Sequence, residues 1–258
     1  MRNNIAFYIP IYYTLSTRVI GLKRFSSWLV IYVIPVLFIF TLYNNTDFSS
    51  GIAISLLSIA LIYNNYELGY IYNDAERIKK EKNPTIRLKE CNLTHYEQNK
   101  FKILIYRLVI SVLLSLIIYS THGGVSFILA VWLILFVYCL YNLTFSRWNL
   151  FLHFILVFLR YCSIAFLFAD FSFNLIFLLL LFPIPNTLER ATEKKFGMNI
   201  SNLLKDIDKF RFHYYLALFF IVSISYFFGV ERFNKYMLIY SFYYLFYRSS
   251  IYFLKLRT

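Results

Sequence analysis

The sequence predicts an all-α, polytopic membrane protein, and three observations predict it. Of 258 residues, 60% are hydrophobic, and the mean hydropathy is +0.60. A soluble domain of this size could not bury so much apolar surface, whereas lipid solvates it. Apolar runs of bilayer-spanning length recur along the chain, and basic residues gather in alternate connections between them.

The opening stretch, MRNNIAFYIPIYYTLSTRVIGLKRF, mixes Tyr with bases and reads as an interfacial segment leading into the first span. Apolar segments follow near 27–43, 51–72, 102–120, 124–143, 150–169, 171–185, 213–230 and 235–254, which predicts about eight transmembrane helices in a single domain, 1–258. The sixth is short, and only a tight turn at ADFS joins it to the fifth.

The charges set the orientation. One set of connections holds Arg18, Lys23 and Arg24, the basic run from Arg77 to Lys100, Arg147, the run from Arg190 to Arg211, and Lys255 and Arg257; the opposite set holds only Arg232 and Lys235. The positive-inside rule then places both termini and the long loops 73–100 and 186–212 in the cytoplasm, in a cytoplasmic membrane of bacterial type. This topology accounts for the net charge of +13 without nucleic acid as a partner.

The 29 Phe and 24 Tyr fit a coding bias that also inflates Ile, Asn and Lys; an aromatic-lined lipid cavity is the other source. Cys91, Cys139 and Cys162 lack metal-type spacing, and the four histidines are scattered, which argues against zinc. Seven glycines leave no room for a phosphate-binding loop or a dinucleotide fingerprint.

Two acidic segments carry the functional signal. If the second helix continues past the membrane edge, Glu67, Asp74 and Glu81 recur every seven residues and share one face, with Asn73 beside them. Asn186, Glu189 and Glu193 share a face of a helix that starts after Pro183 and Pro185. Two such helix ends facing one another would offer hard oxygens to Mg2+, which keeps waters and bridges to phosphates. Lys80, Arg87, Arg190 and Lys194 would balance a diphosphate. The bland reading is solvated, salt-bridged helix ends with pairs such as Arg77–Glu81.

The placement of NDAERIKKE (73–81) after the second span and ERATE (189–193) after the sixth resembles the UbiA superfamily of intramembrane prenyltransferases. That family carries NDxxDxxxD and DxxxD motifs at these places. NPTIRL (83–88) is similar to the stretch that trails its first motif, and the region 141–166 to its fourth and fifth helices. The resemblance implies helices around a central lipid-accessible cavity. It implies magnesium-dependent transfer of an isoprenoid chain from a prenyl diphosphate to a lipid or aromatic acceptor. Asn73, Asp74, Glu81, Glu189 and Glu193 would hold the metal. Arg77, Lys80, Arg87, Arg147 and Lys194 would bind the diphosphate. Asp74, Tyr141, Asn142 and Arg160 would act at the reacting centre. Arg77 replaces the family's middle aspartate and Glu81 its last, and the usual ninth helix is missing.

Phosphoribosyl transfer to a polyprenyl phosphate is one rival, suggested by Arg160; a terpene cyclase is another; a non-catalytic lipid-binding or transport protein, suggested by Arg77, is a third. Arg107 is expected to snorkel, Glu67 to face the cavity and His153 to be packed. Asp74 and Glu189 are expected to be dispensable for helix packing.

Overall fold

The computed structural model describes residues 4–37, 48–81, 84–167, 175–193, 204, 206–230 and 235–256. Among them every regular element is helical. The chain divides into two compact units, Met1–Phe145 with Ser163–Ala169, and Ser146–Cys162 with Asp170–Thr258.

The first unit opens with a 3-10 turn, Asn4–Phe7, and two short helices, α1 (Tyr12–Thr17) and α2 (Leu22–Trp28). Ile11 takes φ 71° at the start of α1, a left-handed conformation rare for a β-branched residue, and Gly21 takes φ 89° before α2. After α2 a π-helical turn, Leu29–Val33, lies within the expected first span, whose later part is outside the described residues. The opening segment is not merely interfacial. Phe7 and Tyr13 are each 1% exposed and pack in one core cluster with Ile71, Ala75, Tyr96 and Ile103.

Three long helices make the frame of this unit: α3 (Phe48–Ala75), α4 (Glu90–His122) and α5 (Val125–Leu143). α3 packs against both others, and Gly123 and Gly124, both at positive φ, turn the chain from α4 into α5. α3 does not continue to Glu81. It ends at Ala75, a 3-10 turn spans Arg77–Lys80, and Glu81 is extended.

The second unit contains α6 (Trp148–Cys162), α7 (Leu175–Leu181), α8 (Pro183–Ala191), α9 (Ile207–Phe227) and α10 (Lys235–Leu256). The predicted sixth span breaks at Phe182, and Pro183 opens α8, where its missing N–H costs no helical hydrogen bond. Asp206 caps α9 by accepting from the N–H groups of Asp208 and Lys209. α9 and α10 pack along their lengths, and α6 packs on α8.

Among the described residues, five helices are long and apolar enough to cross a membrane: Ser50–Lys80, Glu90–His122, Val125–Leu143, Trp148–Leu167 and Ile207–Phe227. They fit an integral membrane protein. α10 has the length, but six tyrosines and Arg248 lower its hydropathy.

Candidate functional site

The buried chemistry of the first unit starts from polar residues set into apolar α3. Asn64, Asn65, Glu67 and Asp74 are all buried, and in a membrane segment each must find a partner inside the protein. Glu67 and Asp74 do share a face, as their spacing predicts, and that face holds the amino-terminal segment. Glu67 accepts from the Thr14 N–H at 2.6 Å, and Asp74 accepts from the Tyr13 hydroxyl at 2.9 Å.

Asp74 is the most heavily engaged carboxylate. Arg18 grips it in bidentate fashion at 2.8 and 3.0 Å, Arg87 reaches Oδ1 at 3.3 Å, and the Asn73 amide donates to the same oxygen at 3.3 Å. Arg18 also lies 3.6 Å from the centroid of the Tyr70 ring. Burial, reinforced by the Asp74 charge, pushes the Tyr13 phenol above its ordinary pKa, so it stays a neutral donor. The expectation that Asp74 is dispensable for packing is corrected: its loss would leave Arg18 and Tyr13 without their shared acceptor.

Arg107 is not a snorkelling residue. It is fully buried, and its five guanidinium donors meet five acceptors. Nε donates to Phe7 O at 2.8 Å, Nη1 to Asn64 Oδ1 and Glu67 Oε2 at 2.9 Å each, and Nη2 to Ala6 O and Ile9 O at 3.0 and 3.1 Å. Glu67 is thus an internal ion-pair partner of Arg107, not a cavity-lining group. Asn64 continues the network to Ser111 Oγ at 2.7 Å; Ser111 donates to Asn65, which donates to Val131 O at 3.1 Å.

Arg77 ties the end of α3 to the end of α5. It donates to Tyr141 O at 2.9 Å and Thr144 O at 3.2 Å, pairs with Glu81 at 3.5 Å, and stacks over the Tyr141 and Phe145 rings at 4.7 and 4.9 Å. A guanidinium on the last carbonyls of a helix satisfies them and complements the helix dipole. This pull explains why α3 gives way to a 3-10 turn and why Glu81 leaves the Glu67–Asp74 face. Asn142 is buried and donates to Gly69 O at 3.3 Å. Lys80 is exposed.

In the second unit, Glu189 of α8 is held by Arg211 of α9 through two contacts, at 2.5 and 2.6 Å. Glu193 pairs with Arg190 at 3.6 Å. His153 shares a hydrogen bond with Asn186 Oδ1 at 3.1 Å, a packed, partnered position. Arg160 lies over the Tyr161 ring at 4.9 Å, and Tyr161 stacks on Phe182 at 3.6 Å. Arg147 is exposed just before α6. Lys194 lies outside the described residues.

The structure therefore joins Asn73, Asp74 and Arg87 in one cluster and Arg77, Glu81 and Tyr141 in another. Among the described residues, no group of three or more His, Cys, Asp and Glu side chains is gathered to hold a metal. Tyr13 and Arg18 complete the Asp74 cluster and Arg211 holds Glu189, and sequence reasoning missed all three roles. The one available signal was the polar insertion NNYE at 64–67 within an apolar helix, which demands internal partners without naming them. No family model, curated protein or solved structure matches the chain.

Proposed function

We propose that this chain is an intramembrane transferase of UbiA type, moving an isoprenoid chain from its diphosphate to a lipid or aromatic acceptor at the cytoplasmic face. The observation that carries this reading is the Asp74 cluster. A buried carboxylate, an adjacent amide and two guanidinium groups stand together where the first long apolar helix ends. Those are the group types that a diphosphate and its counter-cation require.

The donors of the first unit fit magnesium in kind: Asn73 and Asp74 offer hard oxygens. These residues would hold it, and when bound it would neutralise the departing diphosphate. Arg18 and Arg87 now occupy both oxygens of Asp74. In this reading they exchange Asp74 for phosphate oxygens when substrate arrives, which a planar guanidinium suits. Arg77, committed to carbonyls and Glu81, keeps α3 and α5 in register and does not exchange.

The saturation of Asp74 favours a second reading, a non-catalytic lipid-binding protein. The two separate on one assay: release of inorganic diphosphate from a prenyl diphosphate by the purified protein, with magnesium and with chelator. The transferase reading expects magnesium-dependent release that Asp74→Asn abolishes. No release from any prenyl diphosphate would leave the lipid-binding reading.

A further inference from the structure

Beyond the Asp74 cluster, the first unit contains a cavity of about 710 Å3 between α3, α4 and α5. That size suits one small ligand or a single lipid chain. Its walls change character along its length. Leu104, Leu108 and Leu135 line an apolar stretch. Phe101, 69% exposed, and Leu104, 44% exposed, leave it open at the side. Asn142 stands on the same wall. Its amide donates to Gly69 O, while its Oδ1, although the residue is 6% exposed, accepts no hydrogen bond from any described residue. A buried acceptor left unmet is destabilising, so this one asks for a donor. Gly69 itself cannot be larger, because a Cβ there would overlap the Tyr138 ring that forms part of the wall.

Lys100 comes next toward the end of the cavity. It lies one turn from Tyr96, which meets Glu76. Glu76 is already paired with Lys79 at 3.3 Å, and Lys79 with Glu97 at 3.0 Å. Lys100 has no acidic partner among the described residues; it sits 5.4 Å from the Phe101 ring. Gly69 and Glu76 are seven residues apart on α3, about 10 Å along the axis, and Lys100 falls between them. The order along the cavity is an apolar chain site, an acceptor that needs a donor, and an exposed cation able to meet an anion.

We infer that this groove binds a monoacyl glycerophospholipid, its chain against Leu104, Leu108 and Leu135, its free glycerol hydroxyl donating to Asn142 Oδ1, and its phosphate on Lys100. A diacyl lipid lacks the free hydroxyl, and a monoacylglycerol lacks the phosphate. The inference stands apart from the transferase reading, because it concerns binding alone.

The test is native mass spectrometry of the delipidated, detergent-solubilised protein titrated with lipids of one chain length. The expected result is a one-to-one adduct with 1-acyl-2-hydroxy-phosphatidylethanolamine at roughly tenfold lower concentration than with its 2-O-methyl analogue. Monoacylglycerol should bind comparably weakly. Asn142→Leu should erase the hydroxy-over-methoxy preference, Lys100→Gln the preference over monoacylglycerol, and Leu135→Trp the adduct itself. Ile105→Trp, on the exposed side of α4, should change none of these. Equal binding of the hydroxy and methoxy lipids by the unaltered protein would overturn the inference without any variant needing to fold. So would an undiminished adduct in a folded Leu135→Trp protein.

Discussion

The two units use their acids in opposite ways. In the first, Glu67 and Asp74 are fully buried, and each binds partners far away in the chain: Thr14 and Arg107 for Glu67, Tyr13, Arg18 and Arg87 for Asp74. In the second, Glu189 is 14% exposed and its partner Arg211 27%, while Asp206 and Asp208 pair with exposed Lys255 at 3.3 and 3.1 Å. Burial raises the stakes of a charge pair in both directions. Intact, it fixes one arrangement; broken, it leaves a charge that lipid cannot solvate. The first unit is therefore held by its charges, and the second mainly by helix packing and by tyrosines whose hydroxyls reach backbone carbonyls, Tyr214 to Leu180 and Tyr215 to Leu181.

The contrast should be broken most severely at Arg107. Arg107→Met strands Glu67 and the carbonyls of Ala6, Phe7 and Ile9, at an expected cost of about 3–5 kcal/mol. Adding Glu67→Gln should recover part of that loss. Thermal unfolding of the detergent-solubilised protein measures both, and a double variant no more stable than Arg107→Met would mean the ion pair is not what the site depends on.

Arg18→Ala comes next. It removes the bidentate partner of Asp74 but leaves Tyr13 and Arg87, so an expected loss of about 2 kcal/mol follows for one charged hydrogen-bonding group. Limited proteolysis should then cut within residues 4–21 before any other described part of the first unit. Resistance equal to the parent protein would show that Phe7 and Tyr13 hold the segment by packing alone.

Glu189→Gln should cost less, about 1 kcal/mol, because water reaches both partners. The same melting series tests it, and a loss as large as that of Arg107→Met would erase the difference between the units.

The smallest effect belongs to the exposed cluster at the start of α9. The Lys209 N–H, followed by Lys255 and the Asp208 N–H, holds the Asp206 carboxyl below its ordinary pKa. A carboxyl lowered in the folded protein stabilises it above the unfolded pKa, and the contribution is lost as pH falls through the folded value. Melting curves of the parent protein and Asp206→Asn should therefore differ slightly near neutrality and converge in acid. Divergence on acidification would reverse the sign.

Hydropathy made the helical class and the long spans legible, because lipid imposes length and composition on any helix that crosses it. The predicted segments near 51–72, 102–120, 124–143, 150–169 and 213–230 each overlap a long apolar helix among the described residues. The seven-residue spacing correctly put Glu67 and Asp74 on one face. It failed at Glu81 because helical periodicity assumes a continuous helix, and Arg77 draws the chain toward carbonyls more than 60 residues away. Arg107 was misjudged for a similar reason. Depth in the span was readable, but five acceptors drawn from two separate segments, residues 6–9 and 64–67, were not. Spacing reports which side chains share a face, and says nothing of what that face will meet.

The clasp on the amino-terminal segment also has a consequence for the order of assembly. Residues 6–18 are synthesised before their partners: the acids that receive them emerge some 53–61 positions later and Arg107 about 100 positions later. At translation rates of about 5–20 residues per second, that is a wait of seconds. During that time the aromatic residues Phe7 and Tyr13 have none of their α3 or α4 partners, and the membrane surface is their available resting place. A segment made before its partners is thus among the last of its unit to be locked, and Arg107, once inserted, closes the latch.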